Sequence, residues 1–172
     1  EGGMPIALPV RRIRILVVED HWANRKMLES MLSHQGHDLQ CVENGLEAVK
    51  ITAKQPFDLV LMDCNMPLMD GWQATAAIRE RKALNANTPI IAVTANAMKG
   101  DRDKCIAAGM SDYISNPVEC RRLFETIAKW TQQMDDEAGI SEKEEHDAKS
   151  DMQVQAAMTG SKKPARPVDW SG

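Results

Sequence analysis

Between Ile13 and Gln132, short apolar runs alternate five times with amphipathic stretches, and no other feature of the chain narrows its fold so far. The runs are Ile13-Val18, Asp38-Val42, Phe57-Met62, Pro89-Val93 and Asp112-Ser115. Between and after them lie Asn24-Ser33, Gly45-Lys54, Gly71-Lys82, Lys99-Ala108 and Glu119-Trp130, with helical spacing of apolar residues such as Met27, Leu28, Met31 and Leu32. Strand followed by helix, repeated, requires parallel strands joined by helical crossovers. Ile15-Leu16-Val17-Val18 and Leu59-Val60-Leu61-Met62 are continuously apolar, as strands covered on both faces must be. The expected fold class is a doubly wound α/β sandwich. A ligand site in such a fold sits at the carboxyl ends of the strands.

Composition bounds the rest. Of 172 residues, 43% are hydrophobic but only 4% aromatic, so the core must be built from Leu, Ile, Val, Ala and Met. A net charge of -4 and the lack of a basic stripe give no electrostatic reason to bind nucleic acid. The patches Val10-Arg11-Arg12 and Lys162-Lys163 read as solvated flanks. Cys41, Cys64, Cys105 and Cys120 show no C-x-x-C spacing, which suits a reducing, cytoplasmic compartment. No apolar run approaches the roughly 20 residues of a membrane helix, so no direct membrane contact is expected. Gly2 to Pro9 is apolar but too short for a secretory signal. The expected organisation is a flexible lead-in (1–11), one domain (12–132) and a disordered tail or linker (133–172), acidic at first and then Pro- and Lys-containing. A transient helix is expected near Met152-Met158.

The residues just past the strands carry chemistry. Glu19 and Asp20 follow the first strand, Asp63 the third, Thr94 the fourth and Asn116-Pro117 the fifth. In a doubly wound sheet the first and third strands are neighbours, so three carboxylates converge on one cleft. Like charges there raise at least one pKa unless a cation intervenes. An all-oxygen site with solvent at open positions suits Mg²⁺ or Mn²⁺. A carboxylate there could attack phosphorus to give an aspartyl phosphate, with Thr94 donating to a phosphoryl oxygen. One such carboxylate would be read as a helix cap; three from two adjacent strands are a pattern.

Over roughly Arg12 to Gln132 the chain resembles a response-regulator receiver domain of two-component signalling. The resemblance is carried by Ile15-Leu16-Val17-Val18-Glu19-Asp20, Leu61-Met62-Asp63-Cys64-Asn65-Met66-Pro67-Leu68-Met69-Asp70-Gly71, Ala92-Val93-Thr94-Ala95 and Asp112-Tyr113-Ile114-Ser115-Asn116-Pro117. It implies a flavodoxin-like (βα)5 fold with a parallel sheet in the order 2-1-3-4-5. By the same resemblance, Glu19 and Asp20 hold Mg²⁺ directly or through water. Asp63 is the phosphoacceptor, and the backbone carbonyl of Asn65 is a metal ligand whose side chain influences dephosphorylation. Thr94 is the switch hydroxyl and Tyr113 the aromatic rotamer switch. Implied catalysis goes no further than the domain's own phosphoryl transfer and slow autodephosphorylation. The implied partners are a histidine kinase or a histidine phosphotransfer domain, with the domain itself a monomer or weak dimer. The start of the motif resembles receivers of hybrid sensor histidine kinases, which makes such a kinase the expected parent.

One position departs. Receivers place a lysine before the proline after the fifth strand, and Asn116 stands there. Asn donates two hydrogen bonds but is shorter and neutral. Three readings stay open: a phosphoacceptor with weakened coupling, a degenerate receiver acting through protein contacts alone, and an inactivating variant. Rival families fit less well. A dehalogenase-like phosphatase needs a carboxylate where Asn65 stands, Glu19-Asp20 would repel a flavin phosphate, and no G-x-G-x-x-G follows the first strand. Cys64 reads as packing. His34 and His37 read as solvated loop residues, and Trp22 as exposed near the cleft.

Overall fold

A computed structural model of the chain describes residues 11–80, 84–95 and 99–159, with residue 99 and residues 140–159 as backbone alone. Strands and helices alternate in chain order: β1 (Arg14–Val18), α1 (Trp22–His34), β2 (Asp38–Val42), α2 (Gly45–Thr52), β3 (Leu59–Asp63), α3 (Gly71–Glu80), β4 (Ile90–Thr94), α4 (Lys99–Ala108), β5 (Asp112–Ser115) and α5 (Cys120–Thr159). Among the described residues the five strands form one parallel sheet in the order β2-β1-β3-β4-β5. That is the expected flavodoxin-like order.

The apolar runs explain the layers. Successive side chains of a strand point to opposite faces. Leu16 and Val18, with Val60, Met62, Ile90 and Ala92, pack against Ala48 of α2, Ala74 and Ile78 of α3 and Cys105 of α4. Ile15 and Val17, with Leu59, Leu61, Ile91 and Val93, pack against Leu28 and Leu32 of α1 and Leu123 and Ile127 of α5. Each strand of the sheet's centre therefore needs apolar residues at every position, which is why alternation is missing from the sequence.

Two expectations are corrected. Residues 133–159 belong to the expected disordered tail, with helix expected only near Met152-Met158, yet the backbone is helical throughout to Thr159. That stretch holds no proline and one glycine and is rich in Glu, Lys, Gln, Ala and Met, with Glu145 and Lys149 one helical turn apart. Poor apolar content argues against packing into a core, but not against helix. Residues up to Thr131 make one compact unit, and those from Gln132 onward belong to a second. The lead-in apart from Arg11, and the Pro- and Lys-containing end, lie outside the described residues.

His34 is exposed as expected, but His37 is buried. The N–H of Asp38 donates to Ile13 O at 3.0 Å, drawing the entry of β2 under β1. His37 Nδ1 there accepts from the Ile13 N–H at 3.3 Å. Burial lowers its pKa, keeping the ring neutral.

The amino-end face of the sheet is held by polar side chains. Asn85, 2% exposed, accepts from Phe57 N–H at 2.8 Å and from Thr88 Oγ1 at 3.0 Å, and donates to Thr52 O at 2.6 Å and Gln55 O at 2.7 Å. Arg79 donates to Ala86 O and Thr88 O, both at 2.8 Å, and to Gly109 O at 3.0 Å. Asn85→Ala orphans two buried backbone groups and one part-buried one and is expected to cost about 2–3 kcal/mol in urea unfolding, at roughly 1 kcal/mol or more per buried group. A loss below about 1 kcal/mol would show that water replaces the amide.

Candidate functional site

Register brings the carboxylates together. Val18 of β1 pairs with Met62 of β3, so the next residues on each strand, Glu19 and Asp63, lie side by side at the carboxyl edge. Carboxylate oxygens of Glu19, Asp20 and Asp63 all lie within 4.8 Å of one another. Glu19 is 2% exposed, Asp63 half-buried and Asp20 exposed, so the cluster opens to solvent on one side. Asp63 is the last residue of β3 and not the first after it. The same holds for Thr94 and β4.

Backbone donors fix the carboxylates. Glu19 Oε1 accepts from the His21 N–H at 2.9 Å, and Asp63 Oδ1 from the Asn65 N–H at 3.1 Å. Among the described residues, no salt bridge reaches any of the three. Burial, with Glu19's charge adding to it against the Asn65 N–H, pushes the Asp63 carboxyl up to about 7. Burial also raises Glu19, opposed by the His21 N–H. Three oxygen donors at this spacing, with no salt bridge to them among the described residues, fit a hard divalent ion.

The neighbouring strands set the other expected residues around this cluster. Asp63 pairs with Val93 of β4, which puts Thr94, 2% exposed, one residue beyond. Asn116 is half-buried, and its N–H donates to Thr94 O at 2.7 Å. The Asn116-Pro117 peptide bond is cis. Tyr113 pairs with Ala92 and packs half-buried against the α2–α3–α4 side of the sheet. The Arg102 guanidinium stacks over its ring, 5.6 Å from the centroid. Cys64 is buried with its Sγ 3.9 Å from Cys105 Sγ, and burial pushes its thiol pKa well up, which makes it packing material.

Two contributors are given no role in the sequence reading. Gly71 opens α3 against the end of β3, where an added Cβ would lie 2.2 Å from Asp63 O. No other residue fits without displacing the acceptor's backbone. Gly71 was legible only as part of a motif string. Arg25 is the other. Its Nη1 donates to Glu19 O at 2.9 Å, a contact that needs the loop's three-dimensional path to be seen.

Comparison with known proteins gives a consistent result. A family model described as "Response regulator receiver domain" matches residues 15–128. The sensor protein GacS of Pseudomonas syringae pv. syringae is 40% identical over 126 residues, which cover 72% of this chain but only 14% of that protein. The receiver domain of sensor histidine kinase PA1611 from Pseudomonas aeruginosa PAO1, crystallised with a magnesium ion coordinated in its active site cleft, superposes with a TM-score of 0.66 at 38% identity. The match covers 71% of this chain and 99% of that one. A co-crystal of the Saccharomyces cerevisiae histidine phosphotransfer protein Ypd1 with the receiver domain of its downstream response regulator Ssk1 gives 0.67 at 29% identity, over 72% of this chain and 91% of that one.

The raised Asp63 carboxyl has a sign that can be checked. Its folded pKa of about 7 lies above its ordinary value of 3.8, so the folded state holds the proton more tightly. Stability from this group is therefore full below about pH 4 and is lost as pH rises toward 7. In chelator, Asp63→Asn is expected to remove that decline and to be more stable than wild type at pH 8 by about 1–2 kcal/mol, allowing for screening by solvent. Parallel wild-type and variant curves between pH 4 and pH 8 would remove the claim of crowded charge.

Proposed function

This chain belongs to the response regulator receiver family, and from that premise we propose that it takes a phosphoryl group from a phosphohistidine onto Asp63 and relays the event through a partner-binding face. The observation that carries the reading is the triplet of carboxylate oxygens within 4.8 Å at the tips of two paired strands. Glu19, Asp20, Asp63 and the backbone carbonyl of Asn65 are the residues that would hold Mg²⁺, or Mn²⁺ in its place. When bound, the ion would offset negative charge on the phosphoryl oxygens.

The chain's own groups do the rest. The Asn65 N–H sets the Asp63 carboxylate, so that its oxygen meets phosphorus from a fixed direction. An oxygen–phosphorus bond forms as the phosphorus–nitrogen bond of the donor breaks, and the departing imidazole keeps the electron pair and is protonated by solvent. Thr94, at the tip of the adjacent strand, supplies a hydroxyl donor to a phosphoryl oxygen. Tyr113, on the next strand, is the group that reorients with it. Asn116 gives this site a neutral donor in place of an ammonium, and a charge-assisted bond is roughly twice as strong. Phosphorylation is accordingly expected to drive the switch less firmly than in a lysine-bearing receiver. The rival reading, a module that binds partners without phosphorylation, draws its support from Asn116 alone.

Matches that span 14% of GacS leave the parent protein to inference. The expected parent is a hybrid sensor histidine kinase, with this domain on its cytoplasmic side and a histidine phosphotransfer domain as a partner. Among the described residues, no helix is long and apolar enough to cross a membrane. Two exposed apolar side chains follow the acidic residues closely in the chain. Trp22 (64% exposed) follows the acidic pair, and Leu68 (80% exposed) stands in the β3–α3 loop with a left-handed φ of 69°. A bulky residue held so, facing water, suits contact with a donor protein.

Incubation with acetyl phosphate and Mg²⁺ is expected to label Asp63, read by intact mass and lost in Asp63→Asn. Asn116→Lys is expected to raise the steady-state labelled fraction, up to about tenfold for the gain of one charge-assisted bond. No label in either protein would favour the interaction-only reading. Trp22→Ala with Leu68→Ser is expected to slow transfer from a phosphohistidine protein about tenfold while sparing acetyl phosphate, as loss of two docked apolar groups would. Equal slowing with both donors would place those residues in the chemistry instead of the docking.

A further inference from the structure

Arg25 belongs to no chemistry assigned so far, yet it is the basic side chain that touches the backbone between the two acidic residues after β1. It rises from the first turn of α1, where its N–H donates to His21 O at 3.0 Å. Its side chain is only 13% exposed. Nη1 donates to Glu19 O at 2.9 Å, and Nη2 reaches Glu43 Oε1 at 3.3 Å in the β2–α2 loop. Glu43 is itself fixed, because its N–H donates to the Glu47 carboxylate at 2.8 Å. Asn44 meanwhile caps α2 by accepting from the Glu47 N–H at 2.9 Å.

The carbonyl of Glu19 and the N–H of Asp20 belong to one planar peptide unit. Fixing that carbonyl fixes the plane and the place of the Asp20 Cα, leaving the Asp20 φ and its side-chain torsions to set where the carboxylate lies. The preceding peptide is fixed too, since the Glu19 N–H donates to Val42 O at 3.2 Å. Glu19 is buried and held by its surroundings, whereas Asp20 is exposed and depends on its backbone for aim. A surface ion pair such as Arg25–Glu43 contributes little by itself. A part-buried guanidinium bonded to a main-chain carbonyl and anchored at its far end is a different device, because its planar fork bridges two acceptors at once.

We propose that Arg25 is a positioning residue for divalent-cation binding, orienting the Glu19-Asp20 peptide so that Asp20 faces Glu19 and Asp63. The inference rests on the reading of the carboxylate triplet as a Mg²⁺ site. Partners that orient metal ligands typically account for 10–100-fold in metal affinity, so Arg25→Met is expected to weaken Mg²⁺ binding by about tenfold in calorimetric titration of the full chain. Arg25→Lys keeps the charge and one bond but loses the bridge, and is expected to recover part of the affinity, to about threefold below wild type.

A purely structural role would lower the unfolding midpoint in chelator and leave the Mg²⁺ affinity unchanged. The positioning role instead reduces the extra stabilisation that Mg²⁺ confers. Mg²⁺ affinity of Arg25→Met within about twofold of wild type would overturn the proposal. Should Arg25→Met not fold, Arg25→Lys and Glu43→Gln carry the test, and wild-type affinity in both would overturn it. A wild-type chain that takes up no Mg²⁺ would sink the site reading itself, an outcome distinct from unchanged affinity in the variants.

Discussion

A parallel sheet sends the carboxyl end of every strand to the same edge, and that constraint governs this molecule. Helical crossovers return the chain to the opposite edge each time, so whatever the sequence places after β1, β3, β4 and β5 is gathered within one row of loops. Here it gathers acids. Register then decides which of them meet: Val18 beside Met62 leaves Glu19 beside Asp63. A slip of one residue would turn β1's side chains to the other face and separate the two. The continuous apolar runs that bury both faces are what hold that register, so the core and the site depend on each other.

Crowding acids costs stability unless something offsets it, and the fold spends fixed backbone groups on the problem. The His21 and Asn65 N–H groups each meet a carboxylate oxygen. Gly71 lets α3 start against the end of β3, with its N–H donating to Cys64 O at 3.1 Å. None of these donors carries a full charge, so in the ion-free state the Asp63 carboxyl stays raised to about 7 and Glu19 stays above its ordinary range. A site of this kind favours a small cation because the protein has already met the cost of bringing the ligands together.

How legible this was depended on range. The strand-helix alternation is local, and it marks the five strands and five helices with strand ends off by a residue or two, while the sheet order came from the family resemblance. The carboxylate triplet was legible because the topology supplies the one long-range fact needed, that β1 and β3 are neighbours. What needed actual coordinates stayed hidden. Asn85 looks like a loop amide in sequence, yet it satisfies four partners under the sheet. His37 looks like a loop residue too, until the pairing of Ile13 with the start of β2 encloses it. Beyond Gln132 the transient helix expected near Met152-Met158 is one part of a helix that continues to Thr159, because propensity alone can keep a charged segment helical.

The substitution at Asn116 reshapes the electrostatics in a way that follows from charge counting. Three carboxylates and a divalent ion leave one residual negative charge. Converting the acceptor to its phosphate replaces one carboxylate charge with about two, so the residual charge grows by roughly one. An ammonium at the Asn116 position would attract both states, but the phosphorylated one more, because more negative charge faces it. A neutral amide removes that preference while leaving hydrogen bonding in place. In the proposed phosphorelay the cost of the missing lysine would therefore fall on the duration and reach of the phosphorylated state more than on the attack itself. Under the same proposal the divalent ion and its carboxylate ligands would carry a larger share of the charge balance here than they would beside a lysine.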